Sequence, residues 1–165
     1  MFMIGLLSTP LQAAEIVGVP FILQGPGTCG PAALASVMAY YGEPIDLKTI
    51  STDTYTPEVK GAIFADLENF ARERGFCTEF KQGDPGTIKE AIERRRPVIV
   101  LVDLGFWVIS RPHYLVVTGY DEHGFTAHCG YRAAEHFSYR RFERLWKHKG
   151  STYLIIWPSS VLPQG

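Results

Sequence analysis

Residues 30–41 constrain this chain more than any other segment. They read Gly-Pro-Ala-Ala-Leu-Ala-Ser-Val-Met-Ala-Tyr-Tyr, follow the breaker Gly25-Pro26-Gly27 and stop at Gly42. Thr28 stands at an N-cap position, Pro31 suits a first helical turn and Gly42 suits a C-terminal stop. The segment carries no charge and is apolar on nearly every side, so the helix it predicts has to be central and covered all round.

The rest of the chain supplies the cover. Residues 16–23 read as an extended lead-in, with Pro20 arguing against a central strand. A short helix is expected at 46–50. A longer one opens at Thr56-Pro57, places Val59, Ile63, Leu67, Phe70 and Ala71 on one face, and ends at Gly75. Residues 77–80 suggest a short strand, and 87–95 a third amphipathic helix. From there the pattern turns to β: 97–102 is uniformly apolar and β-branched, as in a buried strand, and 113–120 follows suit. Asp121-Glu-His-Gly124 is turn chemistry, returning into a strand at 125–129. A helix at 137–147 and a strand at 151–157 complete the chain. Helices first and strands after, with short turns between adjacent strands, predict an α+β fold with an antiparallel sheet.

At 165 residues, with 46% hydrophobic and 20% charged, the chain is one domain able to bury a core. Its 16 basic and 17 acidic residues leave no overall field for nucleic acid or an anionic membrane, and Arg94-Arg95-Arg96 reads as a solvated helix end. The first 14 residues are uncharged and include an apolar run too short to span a bilayer. Leu11-Gln-Ala-Ala14 resembles a small-residue cleavage site, although a basic start is missing. Signal-peptide remnant, N-terminal arm and buried strand remain open. The first reading starts the mature domain at Glu15, in the periplasm or secreted; an arm leaves the cytoplasm open.

Cys29, Cys77 and Cys129 are too few for a disulfide scaffold. The odd count fits one reactive thiol with the other two either reduced or bridged. Neither a metal nor a cofactor is expected. Cys29 stands where the loop turns into the central helix, at the positive end of the helix dipole, where a thiolate is favoured. Gly27, Gly30 and Ala32 around it suggest room for a substrate backbone. Gln24, five residues upstream, is a side-chain amide placed to donate to an oxyanion. His113 opens a strand after Ser110-Arg-Pro112, and Pro112 keeps Arg111 extended. His123, His136 and His148 fall in a turn or beside a polar helix and are expected to be solvated. A base needs a partner for its second ring nitrogen. The single Asn, Asn69, sits in an early helix. Asp121 lies eight residues along the strand, about 26 Å away. That leaves His128 and Cys129 on the returning strand, with a neutral His128 able to accept.

Gln24, the run Thr28-Cys29-Gly-Pro-Ala-Ala-Leu-Ala35 and the strand His113-Tyr-Leu-Val-Val-Thr-Gly-Tyr120 together resemble the bacteriocin-processing, double-glycine-leader cysteine peptidases, a branch of the papain-like superfamily. The resemblance covers residues 19–158. It implies a papain-like α+β fold, a nucleophile helix packed on an antiparallel sheet. By position it makes Cys29 the nucleophile, His113 the base and Gln24 the oxyanion donor of a thiol peptidase acting on a peptide or protein. The Gln-to-Cys spacing is one residue shorter than the usual papain-like one. The usual Asp-Pro pair after the base is replaced by His128-Cys129-Gly130, similar to the stand-alone secreted branch. His128 is therefore the expected orienting residue, with Cys129 as the other candidate. Acyl transfer to an amine, or a peptide-binding module without catalysis, are the alternative functions.

Overall fold

The computed structural model describes residues 12–159. Helix α1 (Cys29–Tyr40) is followed by α2 (Leu47–Asp53), α3 (Phe64–Glu73), strand β2 (Phe76–Gln82) and α4 (Pro85–Glu93). Then come β3 (Val98–Asp103), β4 (Pro112–Tyr120), β5 (Gly124–His128), β6 (Glu135–Ser138), α5 (Tyr139–Lys147) and β7 (Thr152–Pro158). Strand β1 (Ala14–Glu15) precedes them all and pairs with the end of β4, off the main strand path. The sheet runs β2-β7-β3-β4-β5-β6, and every pairing is antiparallel. The predicted α+β class with an antiparallel sheet is the observed one.

Helix α1 packs on β4, and its Leu34 and Met38 are fully buried. Small residues at Ala32, Ala33 and Ala35 let the helix lie close to the sheet. The uniformly apolar run of β3 has its reason in position: the strand sits between β7 and β4, and Val98, Ile99 and Val100 expose nothing. Asp84 starts α4 through a capping box with Thr87, and Pro85 takes the first turn.

Three features differ from expectation. The helix read from Thr56 onward is broken. A 3-10 turn spans Pro57–Val59, Lys60 turns left-handed at φ 51°, and α3 begins only at Phe64. Thr56 and Gly61 bridge through backbone hydrogen bonds of 2.6 and 3.4 Å, a closed turn that competes with the helix. Val59 and Ile63, read as core, are 55% and 40% exposed. Residues 135–138 form a strand rather than leading into a helix, because Phe137 pairs with Phe125 and buries its ring. Ser138 then caps α5 by accepting from the Arg141 N–H. Residues 1–11, most of the segment read as a signal remnant or arm, lie outside the described residues. Among those described, no helix is long and apolar enough to cross a membrane.

Candidate active site

Cys29 is the first residue of α1, one residue earlier than the sequence pattern placed the helix start. Thr28 holds the cap position but does not cap. Its hydroxyl bonds instead within the loop, accepting from Gly25 N–H at 2.8 Å and donating to Gly25 O at 3.0 Å. The loop is therefore tied down while the first amides of α1 keep no side-chain partner. The Cys29 N–H has no acceptor among the described residues. The thiol and a free amide thus share the positive end of one buried helix.

The glycines around Cys29 are closely packed, and Gly27 also borders the cleft that Cys29 lines. A Cβ on Gly30 would meet the Tyr114 ring at 3.1 Å and Ala62 at 3.3 Å, and one on Gly27 would meet Lys60 O at 2.8 Å. Tyr114 is thereby pressed against the start of α1, with its hydroxyl donating to Ala62 O at 3.1 Å and its ring edge-on to Phe64. Burial pushes the Tyr114 phenol well above its ordinary range.

His113, 7% exposed, stands second in β4. Its Nε2 contacts the backbone carbonyl of Cys129 in a short hydrogen bond. A carbonyl only accepts, so Nε2 carries the proton and Nδ1 of the neutral ring keeps the lone pair. Nδ1 has no hydrogen-bond partner among the described residues. The ring stacks on Tyr131 with centroids 5.7 Å apart and planes at 15°. Burial lowers the His113 pKa below 6.5; the Cys129 carbonyl opposes that shift, and Arg111 adds to it.

The group on His113 Nε2 is a backbone carbonyl, and the expectation that His128 would hold that ring is corrected. His128 pairs with Val116, three residues beyond His113, so the alternation of the strand turns it away from the His113 ring. Both its nitrogens are engaged elsewhere. Nδ1 accepts from Ala134 N–H at 3.0 Å, which leaves Nε2 to donate to Val19 O at 2.9 Å. Phe21 meets the ring edge-on at 5.8 Å. Of the two residues considered, Cys129 contacts His113, through its main chain and not its thiol.

His128 instead fastens the lead-in segment that carries Gln24. Four bonds hold that segment: Ile16 N–H to Thr118 O at 2.7 Å, Val19 O to His128, Pro20 O to the Ser36 hydroxyl, and Gln24 N–H to Gly130 O at 3.0 Å. Gln24 is 9% exposed, and its Oε1 is buried with no partner. That oxygen lies against Gly130, whose φ is +80° and where a Cβ would come within 1.9 Å of it. Gly130 thus provides both a left-handed turn and the space for the Gln24 amide.

Gln24, Cys29 and His113 all line one cleft of about 660 Å³. Its other bank is apolar, with Val59, Ile63, Phe64, Phe80, Leu101 and Leu104. The exposure of Val59 and Ile63 is explained by this: the broken helix turns them into the cleft. All three cysteines are free, and burial pushes the Cys129 thiol up. His123 and His136 are open to solvent, with side chains 75% and 44% exposed, and His148 is exposed too. No group of three or more His, Cys, Asp or Glu among the described residues is arranged to hold a metal. Sequence reasoning missed the Cys129 carbonyl, since a main-chain group has no residue signature. It also missed the apolar bank, two of whose residues, Val59 and Ile63, the helical period places on one face with Leu67 and Phe70. The positive-φ Gly130 beside His128-Cys129 was the available signal for a special backbone there.

No curated protein is similar enough to register as a match. Among solved structures, the peptidase domain of Streptococcus ComA, a bi-functional ABC transporter involved in quorum sensing, superposes with a TM-score of 0.73 at 23% identity, covering 86% of this chain and 100% of that one. A double glycine motif protease from an AMS/PCAT transporter, solved with the leader peptide, gives 0.72 at 21% identity over 88% and 95%. A protein described as a C39-like peptidase from Bacillus anthracis gives 0.73 at 16% identity over 90% and 98%. At these identities the likeness is one of fold. The sequence itself matches the Peptidase C39 family over residues 20–160, most of the chain, and the chain belongs to that family.

Proposed function

We propose that this domain is a thiol peptidase that cleaves after small residues, of the double-glycine type, through a Cys29 acyl-enzyme. The observation that carries the reading is the shared cleft. A thiol at a helix N-terminus, a buried imidazole with its lone pair unengaged and an unpaired side-chain amide border one cavity.

The Cys29 thiolate attacks the scissile carbonyl carbon. Oxyanion charge falls on the Cys29 N–H and the Gln24 amide, which has no acceptor among the described residues. His113 Nδ1 takes the thiol proton and passes it to the leaving amine as the C–N bond breaks, giving a thioester and a free amine. Water, deprotonated by Nδ1, then attacks the thioester; the acid leaves and the thiol is restored. The Cys129 carbonyl stabilises the imidazolium formed in each step by accepting from Nε2. The Gly27 loop meets the Lys60–Gly61 turn beside the sulfur, which favours glycine next to the scissile bond. The apolar bank suits larger aliphatic or aromatic side chains further along the peptide. The relative solved with a leader peptide supports the same substrate class.

The test compares thiols within one protein. Cys77 is partly exposed like Cys29 and serves as the internal control. Iodoacetamide should label Cys29 far faster than Cys77, and Cys29→Ala should abolish cleavage of a peptide carrying Gly-Gly before the scissile bond. Equal labelling of Cys29 and Cys77, or cleavage surviving in Cys29→Ala, overturns the reading.

A further inference from the structure

The connection from β3 to β4 ends in an unusual tip. Phe106 and Ile109 form an isolated bridge, closed by Ile109 N–H on Phe106 O at 3.1 Å. Trp107 and Val108 occupy the apex. These four consecutive residues are 79%, 91%, 94% and 67% exposed. Tight hairpin turns favour Asn or Gly at the apex because the backbone goes left-handed there. Here Trp107 adopts φ 58°, a costly conformation for a bulky side chain. The chain therefore accepts strain in order to show an indole to solvent.

The tip is also held stiffly. The Asp103 carboxylate accepts from Gly105 N–H at 2.8 Å, Arg111 N–H at 2.8 Å and the Ser110 hydroxyl at 2.6 Å, with Lys149 at 3.4 Å. Gly105 admits this closure, since a Cβ there would strike Ile109 O at 1.8 Å.

Cationic side chains stand beside the tip. A hollow of about 350 Å³ between hairpin and α5 is lined by the four apolar residues together with Arg144, Leu145, His148 and the Asp103 carboxylate that ties the hairpin. The stretch 139–149 holds Arg140, Arg141, Arg144, Lys147 and Lys149 against the single acid Glu143. Arg144 and Lys147 are exposed and have no carboxylate within ion-pair distance among the described residues. The near-zero net charge of the whole chain conceals this local excess.

We infer that the Phe106–Ile109 hairpin tip is a wedge that inserts into the surface of an anionic phospholipid bilayer, with Arg144 and Lys147 on its headgroups. A convex, stiff tip with an aromatic pair and two aliphatics suits the interfacial zone of a bilayer, and cations beside it suit lipid phosphates. The feet of the hairpin, Leu104, Arg111 and Pro112, line the peptidase cleft. Insertion therefore holds the cleft mouth at the membrane surface. The inference does not depend on the proposed catalytic roles.

The experiment is sedimentation of the whole chain with phosphatidylcholine vesicles, with and without phosphatidylglycerol. Wild type should bind the anionic vesicles, lose binding as salt rises, and show a blue shift in emission, because Trp107 is far more exposed than Trp146 or Trp157. Trp107→Ser with Val108→Ser, and separately Arg144→Glu with Lys147→Glu, should each weaken partitioning by about tenfold or more. Neither pair lines the cleft. Unchanged cleavage of a soluble peptide and an unchanged melting temperature then exclude misfolding as the cause. Absence of wild-type binding to anionic vesicles, or binding that both double variants retain, overturns the inference. So does a concentration-dependent dimer that Trp107→Ser dissolves, which would make the tip a contact between copies.

Discussion

Gly130→Ala tests the link between backbone and oxyanion donor. The left-handed φ of +80° at this position costs an alanine about 1–2 kcal/mol. The larger effect is local. A Cβ would lie 1.9 Å from Gln24 Oε1, far inside contact distance, while the Gln24 backbone stays tied to Gly130 O at 3.0 Å. The side chain must swing and the backbone cannot follow, so the amide leaves its proposed oxyanion position. Losing one oxyanion donor lowers kcat by roughly 10²–10³. Gly130→Ala should therefore lose that much in kcat/KM on a Gly-Gly peptide, along with a modest drop in melting temperature. Gln24→Ala should lose the same activity without the backbone strain. The double variant should be no slower than Gln24→Ala alone, because both changes remove the same group. Full activity in Gly130→Ala, or losses that multiply in the double variant, would refute the reasoning.

The acid limb of kcat/KM should fall below pH 6.5, since burial keeps His113 neutral to lower pH than a free imidazole. For the same reason stability should decline as pH drops below 6.5. In the window down to the folded pKa the unfolded chain binds a proton that the folded one refuses, and His113→Gln should flatten that slope in a pH series of melts. His128→Ala should cost about 1–3 kcal/mol, as Val19 O and the Ala134 N–H lose their partner, yet leave the acid limb where it was. A displaced limb in that variant would restore His128 as the orienting residue. Tyr114→Phe should lower stability by about 1 kcal/mol by freeing Ala62 O at the turn into α3, read by urea unfolding.

The broken helix shows where sequence periodicity stopped being informative. Val59 and Ile63 keep a helical spacing with Leu67 and Phe70, and period alone cannot tell a core face from a cleft wall. The left-handed Lys60 and the Thr56–Gly61 bridge separate them. In the site, Cys29, His113 and Gln24 were legible because thiol, imidazole and amide are rare groups whose local contexts are distinctive. The group on His113 was not legible, because any residue could supply that carbonyl.

By itself, the sequence determined the central helix, the strand-rich second half, and three polar side chains, Gln24, Cys29 and His113, that the fold brings to one cleft. These follow from local propensity, apolar period and functional-group identity, all of which are properties of short segments. Only the tertiary structure decided that His128 fastens the lead-in instead of meeting His113, that the Cys129 carbonyl accepts from His113, and that Val59 and Ile63 face a cleft. Those outcomes depend on strand register and on a turn closed by backbone bonds, and a one-residue change in register turns a side chain to the other face.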